Sequence, residues 1–162
     1  MTLKRSFPPV VSEQTRVLLL GSLPGEQSLA RSQYYANPRN QFWRLIGGVI
    51  GAELETLPYQ SRLETLLSAR VGLWDTVESA TRLGSLDGAI RGHSANDLVR
   101  LAASLPELRA VGFNGGKSAS LGMKQLAERT DLALLPLPSS SPAFTLAFAE
   151  KARSWAKLKQ FL

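Results

Sequence analysis

Short apolar runs alternate along the chain with stretches in which apolar residues recur every three or four positions. Four of the runs are bounded by turn-forming residues and predict strands, over residues 17–20, 71–74, 109–113 and 132–137. Runs of this length that are apolar throughout, rather than alternating with polar residues, are typical of strands buried on both faces. The pattern therefore predicts an α/β fold, in which a parallel sheet is covered by helices on both sides.

Helical periodicity separates the predicted strands and closes the chain. The expected helices follow Asn37 and Pro38, a Ser61-x-x-Glu64 capping box and Ser94-x-x-Asp97, and two more cover residues 117–129 and 145–162. Asn, Ser and Asp side chains accept hydrogen bonds from the free amide groups of a first helical turn, and proline is favoured in that turn. In folds of this kind, ligands bind beyond the carboxyl ends of the strands.

Loops rich in Gly, Pro and Ser follow the first, third and fourth predicted strands, so we expect them to converge at one edge of the sheet. Glycines in residues 21–25 let backbone N–H groups approach an anion or a base closely. Residues 138–142 place three serine hydroxyls between two prolines, which suits the binding of a phosphate. Asn114, before two glycines, and Asp75, at the end of the second strand, are further candidates, although Asp75 is equally suited to capping the next turn.

Composition and charge narrow the classes of function. The absence of cysteine excludes disulfides, thiolate catalysis and cysteine zinc sites, and a single histidine, His93, interpreted as a surface residue, excludes a multi-histidine metal centre. The net charge of +6 suits a polyanionic partner, although charge alone does not distinguish such a protein from one that is basic for no specific reason. A length of 162 residues suits a single domain, which we expect over residues 1–162. No signal peptide or apolar segment of about 20 residues is evident, so we expect the protein in the cytoplasm, associated with the nucleoid. The cations of the last helix are interpreted as a solvated face: Lys151, Arg153, Lys157 and Lys159.

Several motifs together resemble one family. Gly21-Ser-Leu-Pro-Gly25 followed by Gln33-Tyr-Tyr-Ala-Asn-Pro-Arg-Asn-Gln-Phe-Trp43 resembles the first motif of the uracil-DNA glycosylase superfamily. Gly72-Leu-Trp-Asp75 with Gly84-Ser-Leu-Asp87, and later Leu137-Pro-Ser-Ser-Ser-Pro-Ala143, resemble segments of its hypoxanthine-DNA glycosylase branch. The resemblance covers nearly the whole chain. It implies a three-layer α/β/α sandwich with a four-stranded parallel sheet, and excision of a deaminated base from DNA without a metal or cofactor.

The resemblance also implies roles for particular residues. Asn40 matches the catalytic Asn of an Asn-Pro-x-Asn motif, and Tyr35 matches an aromatic residue that stacks on the flipped base. As an amide, Asn40 is expected to orient a water molecule by accepting its hydrogen bond. The expected base pocket consists of Ser22, Leu23, Tyr35, Asp75 and Asn114. The expected DNA contacts are Pro24, Gly25, Arg39, Lys117, Pro138, Ser139, Ser140 and Ser141.

Departures from the better-known relatives bear on the substrate. Leu23 stands where those enzymes have an Asn or Asp linked to water activation, Leu137 replaces their His or Asn, and Ser141 replaces their inserting Leu. These differences favour hypoxanthine over uracil. The alternatives are a uracil glycosylase acting at G:U mismatches and a catalytically silent module, expected like the enzyme to be a monomer, that binds damaged DNA. A fold that binds free nucleotides is disfavoured because no phosphate-loop signature is present.

Overall fold

The computed structural model describes residues 3–82 and 84–162; Met1, Thr2 and Leu83, which the single-domain prediction includes, lie outside the described residues. The strands are β1 (Leu3–Arg5), β2 (Val17–Gly21), β3 (Val71–Asp75), β4 (Val77–Thr81), β5 (Arg91–Ala95), β6 (Ala110–Asn114) and β7 (Ala133–Leu137). The α-helices are α1 (Glu26–Arg31), α2 (Phe42–Ile50), α3 (Tyr59–Ser68), α4 (Leu98–Ala103), α5 (Gly116–Leu126) and α6 (Phe148–Trp155). Short 3₁₀ turns cover Leu54–Thr56, Asp87–Ala89 and Ala156–Phe161.

The central sheet consists of the four predicted strands, in the order β3-β2-β6-β7, and all of its pairings are parallel. Strand β2 is buried along its whole length, as expected for a strand covered on both faces. Because β2 lies between β3 and β6, the chain leaves it in one direction for β3 and crosses to the other side for β6. Such a reversal opens a crevice at the carboxyl ends of the strands, where α/β proteins bind ligands.

Two helical layers cover this sheet. One layer holds α2, α3 and α6, which contribute Phe42, Trp43, Leu66 and Trp155 to a buried apolar cluster. The opposite layer holds α4 and α5, which contribute Leu98, Ala102, Ala119 and Leu126. The predicted three-layer arrangement is therefore confirmed. Within residues 3–82 and 84–162, no helix has the length and apolar character needed to cross a membrane.

A second, antiparallel sheet of order β1-β4-β5 was not predicted. Strand β4 begins two residues after β3 ends, and β5 is exposed along its whole length, so its sequence carries no apolar signal. Arg82, the residue directly after β4, is buried in the interior. The Arg82 guanidinium donates hydrogen bonds to the backbone carbonyls of Leu23 and Pro24. The small sheet therefore braces the loop that follows β2.

The predicted start of the first helix is wrong. Asn37 does not cap α2, and Pro38 is not in its first turn, because α2 begins at Phe42. The Asn37 side chain instead accepts a hydrogen bond from the N–H of Arg39, 3.0 Å away, which closes a local turn. Asn40 takes the role at the helix start, since its Oδ1 accepts the N–H of Phe42 at 2.9 Å.

Two other predicted caps also differ from the structure. Ser61 lies inside the first turn of α3, because the N–H of Arg62 already bonds to the carbonyl of Pro58, the residue before the helix. Ser94 belongs to β5 and pairs with β4, whereas Asp97 caps α4 by accepting the N–H of Arg100.

The last predicted helix begins at Phe148 rather than at residue 145, and it continues as a 3₁₀ turn. The short helix α1 was not predicted.

Close packing of α5 on the sheet gives a stability prediction. A Cβ atom on Gly122 would overlap the ring of Phe113 and lie 3.1 Å from Thr76 Cγ2, whereas Gly48, on the exposed side of α2, has open space around it. We expect Gly122→Ala to lower the free energy of unfolding by about 1–3 kcal/mol through overpacking. Gly48→Ala, the matched control, should raise it by about 0.5–1 kcal/mol. Urea unfolding of both variants measures this, and a Gly122→Ala protein as stable as Gly48→Ala would contradict the packing described.

Candidate active site

The segments that follow the four parallel strands line one cleft of about 320 Å³ at the carboxyl edge of the sheet. Such a volume lies within the usual range for sites that bind small organic groups. The structure brings eleven of the predicted site residues into its lining: Ser22, Leu23, Pro24, Gly25, Tyr35, Asn40, Asp75, Asn114, Ser139, Ser140 and Ser141. Arg39, Lys117 and Pro138 do not line it.

Ser140 joins three segments of the cleft wall. Its hydroxyl donates to Asn40 Oδ1 at 2.7 Å and accepts from Asn114 Nδ2 at 2.8 Å. Its backbone N–H donates to Asn114 Oδ1 at 2.9 Å. The end of β6, the serine loop after β7 and the start of α2 are therefore held in one fixed geometry, with Ser140 almost completely buried.

The hydrogen bonds of Asn40 determine which of its atoms is available to a ligand. Its Oδ1 accepts from both the Phe42 N–H and the Ser140 hydroxyl, so both lone pairs of that oxygen are used. Among the described residues, its Nδ2 has no hydrogen-bond acceptor. The expectation that Asn40 accepts a hydrogen bond from water is therefore wrong, because the group left for the cleft is a donor.

The two neighbouring tyrosines have different surroundings. Tyr34 is buried, and its hydroxyl donates to the backbone carbonyl of Pro8 at 3.0 Å. The ring of Tyr35 stacks on Phe42, with centroids 3.9 Å apart and planes 10° apart, and its hydroxyl accepts from Asn114 Nδ2 at 3.2 Å. Burial raises the pKa of Tyr35, so the hydroxyl keeps its proton. One ring face is thus covered by Phe42, and only the other is available to stack on a base.

Asn114 uses its polar atoms mostly within the protein. Both hydrogens of its amide are committed, one to Ser140 and one to the Tyr35 hydroxyl. Its oxygen keeps one free lone pair after accepting the Ser140 N–H. Asn114 lies in the predicted pocket, but its main role in this geometry is to position Ser140 and Tyr35.

Asp75 forms part of the cleft floor at the end of β3, with 3% of its surface exposed. Glycine at position 21 of the neighbouring strand makes room for it, since a Cβ there would lie 2.6 Å from Asp75 Oδ1 and 2.9 Å from the Tyr35 hydroxyl. Asp75 Oδ2 is buried, and no described residue forms a hydrogen bond with it. Burial, assisted by the charge of Asp87 and opposed by that of Arg82, raises the pKa of Asp75 to about 7.

Asp87 is a cleft residue that the site prediction missed. The Ser22 hydroxyl donates to Asp87 Oδ1 at 2.5 Å, and the Arg82 guanidinium lies 3.8 Å from the same oxygen. Burial raises the pKa of Asp87, whereas the Ser22 hydrogen bond and Arg82 lower it. The Gly84-Ser-Leu-Asp87 segment already contributed to the family resemblance, so the carboxylate that ends it was the available signal.

Leu23 lines the cleft with an apolar side chain. Its own side chain is buried in a small apolar cluster with Val77 and Ala80 of β4 and with Ile90, the residue before β5. The leucine therefore stabilises the loop and supplies no group that activates water.

Buried side chains of α6 anchor the serine loop. Lys151 is 1% exposed, and its Nζ donates to Gln41 Oε1 at 2.9 Å and to the backbone carbonyl of Ser141 at 3.2 Å. The interpretation of Lys151 as a solvated residue is therefore wrong, whereas Arg153, Lys157 and Lys159 are exposed. The indole of Trp155 donates to the carbonyl of Pro138 at 3.0 Å. Lys151 and Trp155 of α6 thus hold the backbone of the serine loop at Ser141 and Pro138.

The two predicted cationic DNA contacts lie outside the cleft lining. Arg39 is exposed in the turn before α2. Lys117 is half-buried in the first turn of α5, at the carboxyl edge of the sheet, and its charge lowers the pKa of Asp87. Across residues 3–82 and 84–162, no group of three or more His, Asp or Glu side chains is placed to hold a metal ion.

Proteins of known description resemble this chain over nearly its full length. A hypoxanthine DNA glycosylase from Methanosarcina acetivorans is 42% identical over 141 residues, which are 87% of this chain and 88% of that protein. One from Methanosarcina barkeri is 38% identical over 156 residues, which are 95% and 96% of the two chains. The solution NMR structure of a candidate uracil DNA glycosylase from M. acetivorans superimposes with a TM-score of 0.87 at 37% identity, covering 99% of each chain.

The family model described as the uracil DNA glycosylase superfamily matches residues 8–161. The match extends from the segment before β2 to the last 3₁₀ turn, so it includes every strand of the central sheet and all of the cleft. The family resemblance inferred from the motifs is confirmed, and the chain belongs to the uracil DNA glycosylase superfamily.

Proposed function

We propose that this protein is a monofunctional DNA glycosylase that removes hypoxanthine from deoxyinosine and leaves an abasic site for base excision repair. The observation that carries the proposal is the Asn40 amide, held in the cleft by two accepted hydrogen bonds with its Nδ2 free. The similarity to two hypoxanthine DNA glycosylases supports the choice of base. We further expect the protein to act as a monomer in the cytoplasm, associated with the nucleoid.

The target base must leave the DNA stack to reach this cleft. Extrusion costs a few kcal/mol, and least at a mispair or in a single strand. Contacts between phosphates and the serine loop, through Ser139, Ser141 and nearby backbone N–H groups, would offset that cost. The face of Tyr35 opposite Phe42 is the surface on which the flipped base would stack, because Phe42 fixes the ring from the other side.

Cleavage of the N-glycosidic bond passes through an oxocarbenium-like sugar, as in other glycoside hydrolyses. The structure favours stabilisation of the leaving base over activation of water, because Leu23 is apolar and Asn40 offers a donor. In this mechanism, Asn40 Nδ2 donates to an acceptor atom of the base as negative charge develops on it. A dipole that is already fixed in place is effective here, since it needs no reorganisation during the reaction.

Excision of defined bases tests the proposed function. Purified protein is incubated with oligonucleotides that carry one deoxyinosine or one deoxyuridine, single-stranded or in duplexes, and alkali then reveals abasic sites. We expect strand breaks mainly at inosine. Breaks mainly at uracil would instead support the alternative of a G:U mismatch enzyme. Salt-sensitive binding without breaks would overturn the enzymatic proposal and support a silent damage-binding module.

The role of Asn40 as a donor is tested by Asn40→Asp and Asn40→Ala. Aspartate keeps an oxygen that can accept the Phe42 and Ser140 hydrogen bonds, but it loses the two amide hydrogens. We expect both variants to lose about 10²- to 10³-fold in single-turnover excision, the usual effect of removing one fixed donor. Near-normal cleavage by Asn40→Asp would show that the amide hydrogens are not needed. Unfolding midpoints of both variants control for damage to the fold.

Lys117 gives a separate prediction about DNA binding. It lies at the start of α5, on the cleft side, whereas the exposed Lys124 lies about 10 Å further along the same helix. If Lys117 contacts a phosphate, Lys117→Ala weakens binding to all sequences alike and reduces the slope of log K against log salt by about 1. Lys124→Ala is the matched control and should leave the slope unchanged. Equal slopes for the two variants, measured by fluorescence anisotropy, would remove Lys117 from the interface.

A further inference from the structure

Asp75 is a buried acid in the cleft that the mechanism above does not use. Its Oδ1 projects over Gly21 beside the Tyr35 hydroxyl, and its Oδ2 is enclosed without a hydrogen-bond partner. A buried carboxylate that no donor stabilises is costly, so one is retained mainly where it is neutral or where a ligand completes its hydrogen bonds.

Three polar side chains around Asp75 use their donors elsewhere. Both amide hydrogens of Asn114 and the hydroxyl of Ser22 are used, and the Arg82 guanidinium donates to backbone carbonyls. No hydrogen bond joins the Tyr35 hydroxyl to Asp75 among the described residues. The surroundings of Asp75 therefore favour a protonated carboxyl, which belongs to the cleft lining and whose side chain makes no hydrogen bond with the described residues.

We propose that Asp75 is the general acid of the reaction, and that its carboxyl proton passes to a ring nitrogen of the departing hypoxanthine. This inference rests on the proposed function. As the C1′–N9 bond breaks, N9 takes the bonding electron pair and the Asp75 proton moves to N7 or N3, so the base leaves as a neutral molecule. Water then adds to C1′, and its released proton returns to the Asp75 carboxylate directly or through solvent.

This chemistry distinguishes purines from uracil. Hypoxanthine presents N7 and N3 as acceptors, whereas the remaining ring nitrogen of uracil, N3, carries a hydrogen and is a donor. Protonation of a ring nitrogen is therefore available only to the purine. A carboxyl acid in the cleft would promote hypoxanthine release more than uracil release.

The charged and titratable groups around Asp75 support this assignment. They come from the segment before α2 (Tyr34 and Tyr35), the end of β4 (Arg82) and the following 3₁₀ turn (Asp87). Beyond these, Lys117 faces Asp87 from α5 and Glu26 faces Arg82 from α1. Burial and Asp87 raise the pKa of Asp75 to about 7, so a large fraction stays protonated at neutral pH, as an efficient general acid requires.

The first test is the pH dependence of single-turnover excision from a deoxyinosine duplex between pH 5 and 9. A required acid acts only while protonated. The wild-type rate should therefore be constant below about pH 7 and fall tenfold per pH unit above it. Asp75→Asn, which has the same shape but no transferable proton, should be about 10²- to 10⁴-fold slower and lack this fall. A variant that keeps both the rate and the profile of the wild type would overturn the proposal.

Asp87→Asn separates the two acids of the cleft. Since the negative charge of Asp87 raises the pKa of Asp75, its removal should move the break in the profile to lower pH without abolishing it. A profile that becomes flat in Asp87→Asn, while Asp75→Asn retains the break, would assign the acid to Asp87 and refute the role of Asp75.

Base analogues test the proton acceptor and keep the proposal falsifiable if Asp75→Asn fails to fold. With 7-deaza- or 3-deazahypoxanthine, one ring nitrogen is replaced by carbon. For one of the two, wild-type excision should lose its pH dependence, and Asp75→Asn should cause no further loss. A wild-type break that persists on both analogues would refute proton transfer to the ring. Absence of abasic sites at inosine at every pH would instead refute the proposed function itself.

Discussion

The geometry of the cleft depends on one buried serine between two amides. Ser140 accepts from Asn114, donates to Asn40 and, through its backbone, bonds to Asn114 again. These bonds join the end of a sheet strand to a loop and to the start of a helix that are far apart in sequence. Because Asn40 Oδ1 and both amide hydrogens of Asn114 are already used, neither side chain can rotate without breaking these bonds. The site is organised before the base arrives, which is what catalysis by fixed dipoles requires.

A second constraint comes from the buried charge of Arg82. A guanidinium without compensation is too costly to bury, and here the carbonyls of Leu23 and Pro24, together with Asp87, compensate it. The segment between β4 and β5 of the small antiparallel sheet places Arg82 and Asp87 against the loop after β2. The same charges set the balance at Asp75, because Asp87 favours its neutral form and Arg82 its ionised form.

The sequence predicted the central sheet and half of the cleft lining because uninterrupted apolar runs identify buried strands, and glycine, proline and serine mark the loops beyond them. It did not predict β5, since that strand is polar and exposed and forms only by pairing with β4. The interpretation of Lys151 as part of a solvated face is wrong for a related reason. A lysine in an amphipathic helix looks solvated until the fold brings Gln41 and the Ser141 carbonyl to it. Contacts between distant segments decide both cases, and no local pattern contains them.

The orientation of the Asn40 amide decides which of its groups faces a ligand. An asparagine considered from its sequence position offers an oxygen or a nitrogen equally, and only the Phe42 and Ser140 bonds assign the oxygen to the protein. With a leucine at position 23 and a donor at position 40, the proposed mechanism has the polar groups of the cleft act on the leaving base and not on the attacking water. A purine suits such an arrangement better than uracil does, because its ring nitrogens N7 and N3 are both acceptors. In the proposed mechanism an apolar residue at position 23 is therefore compatible with catalysis, because the reaction depends on groups that act at the base.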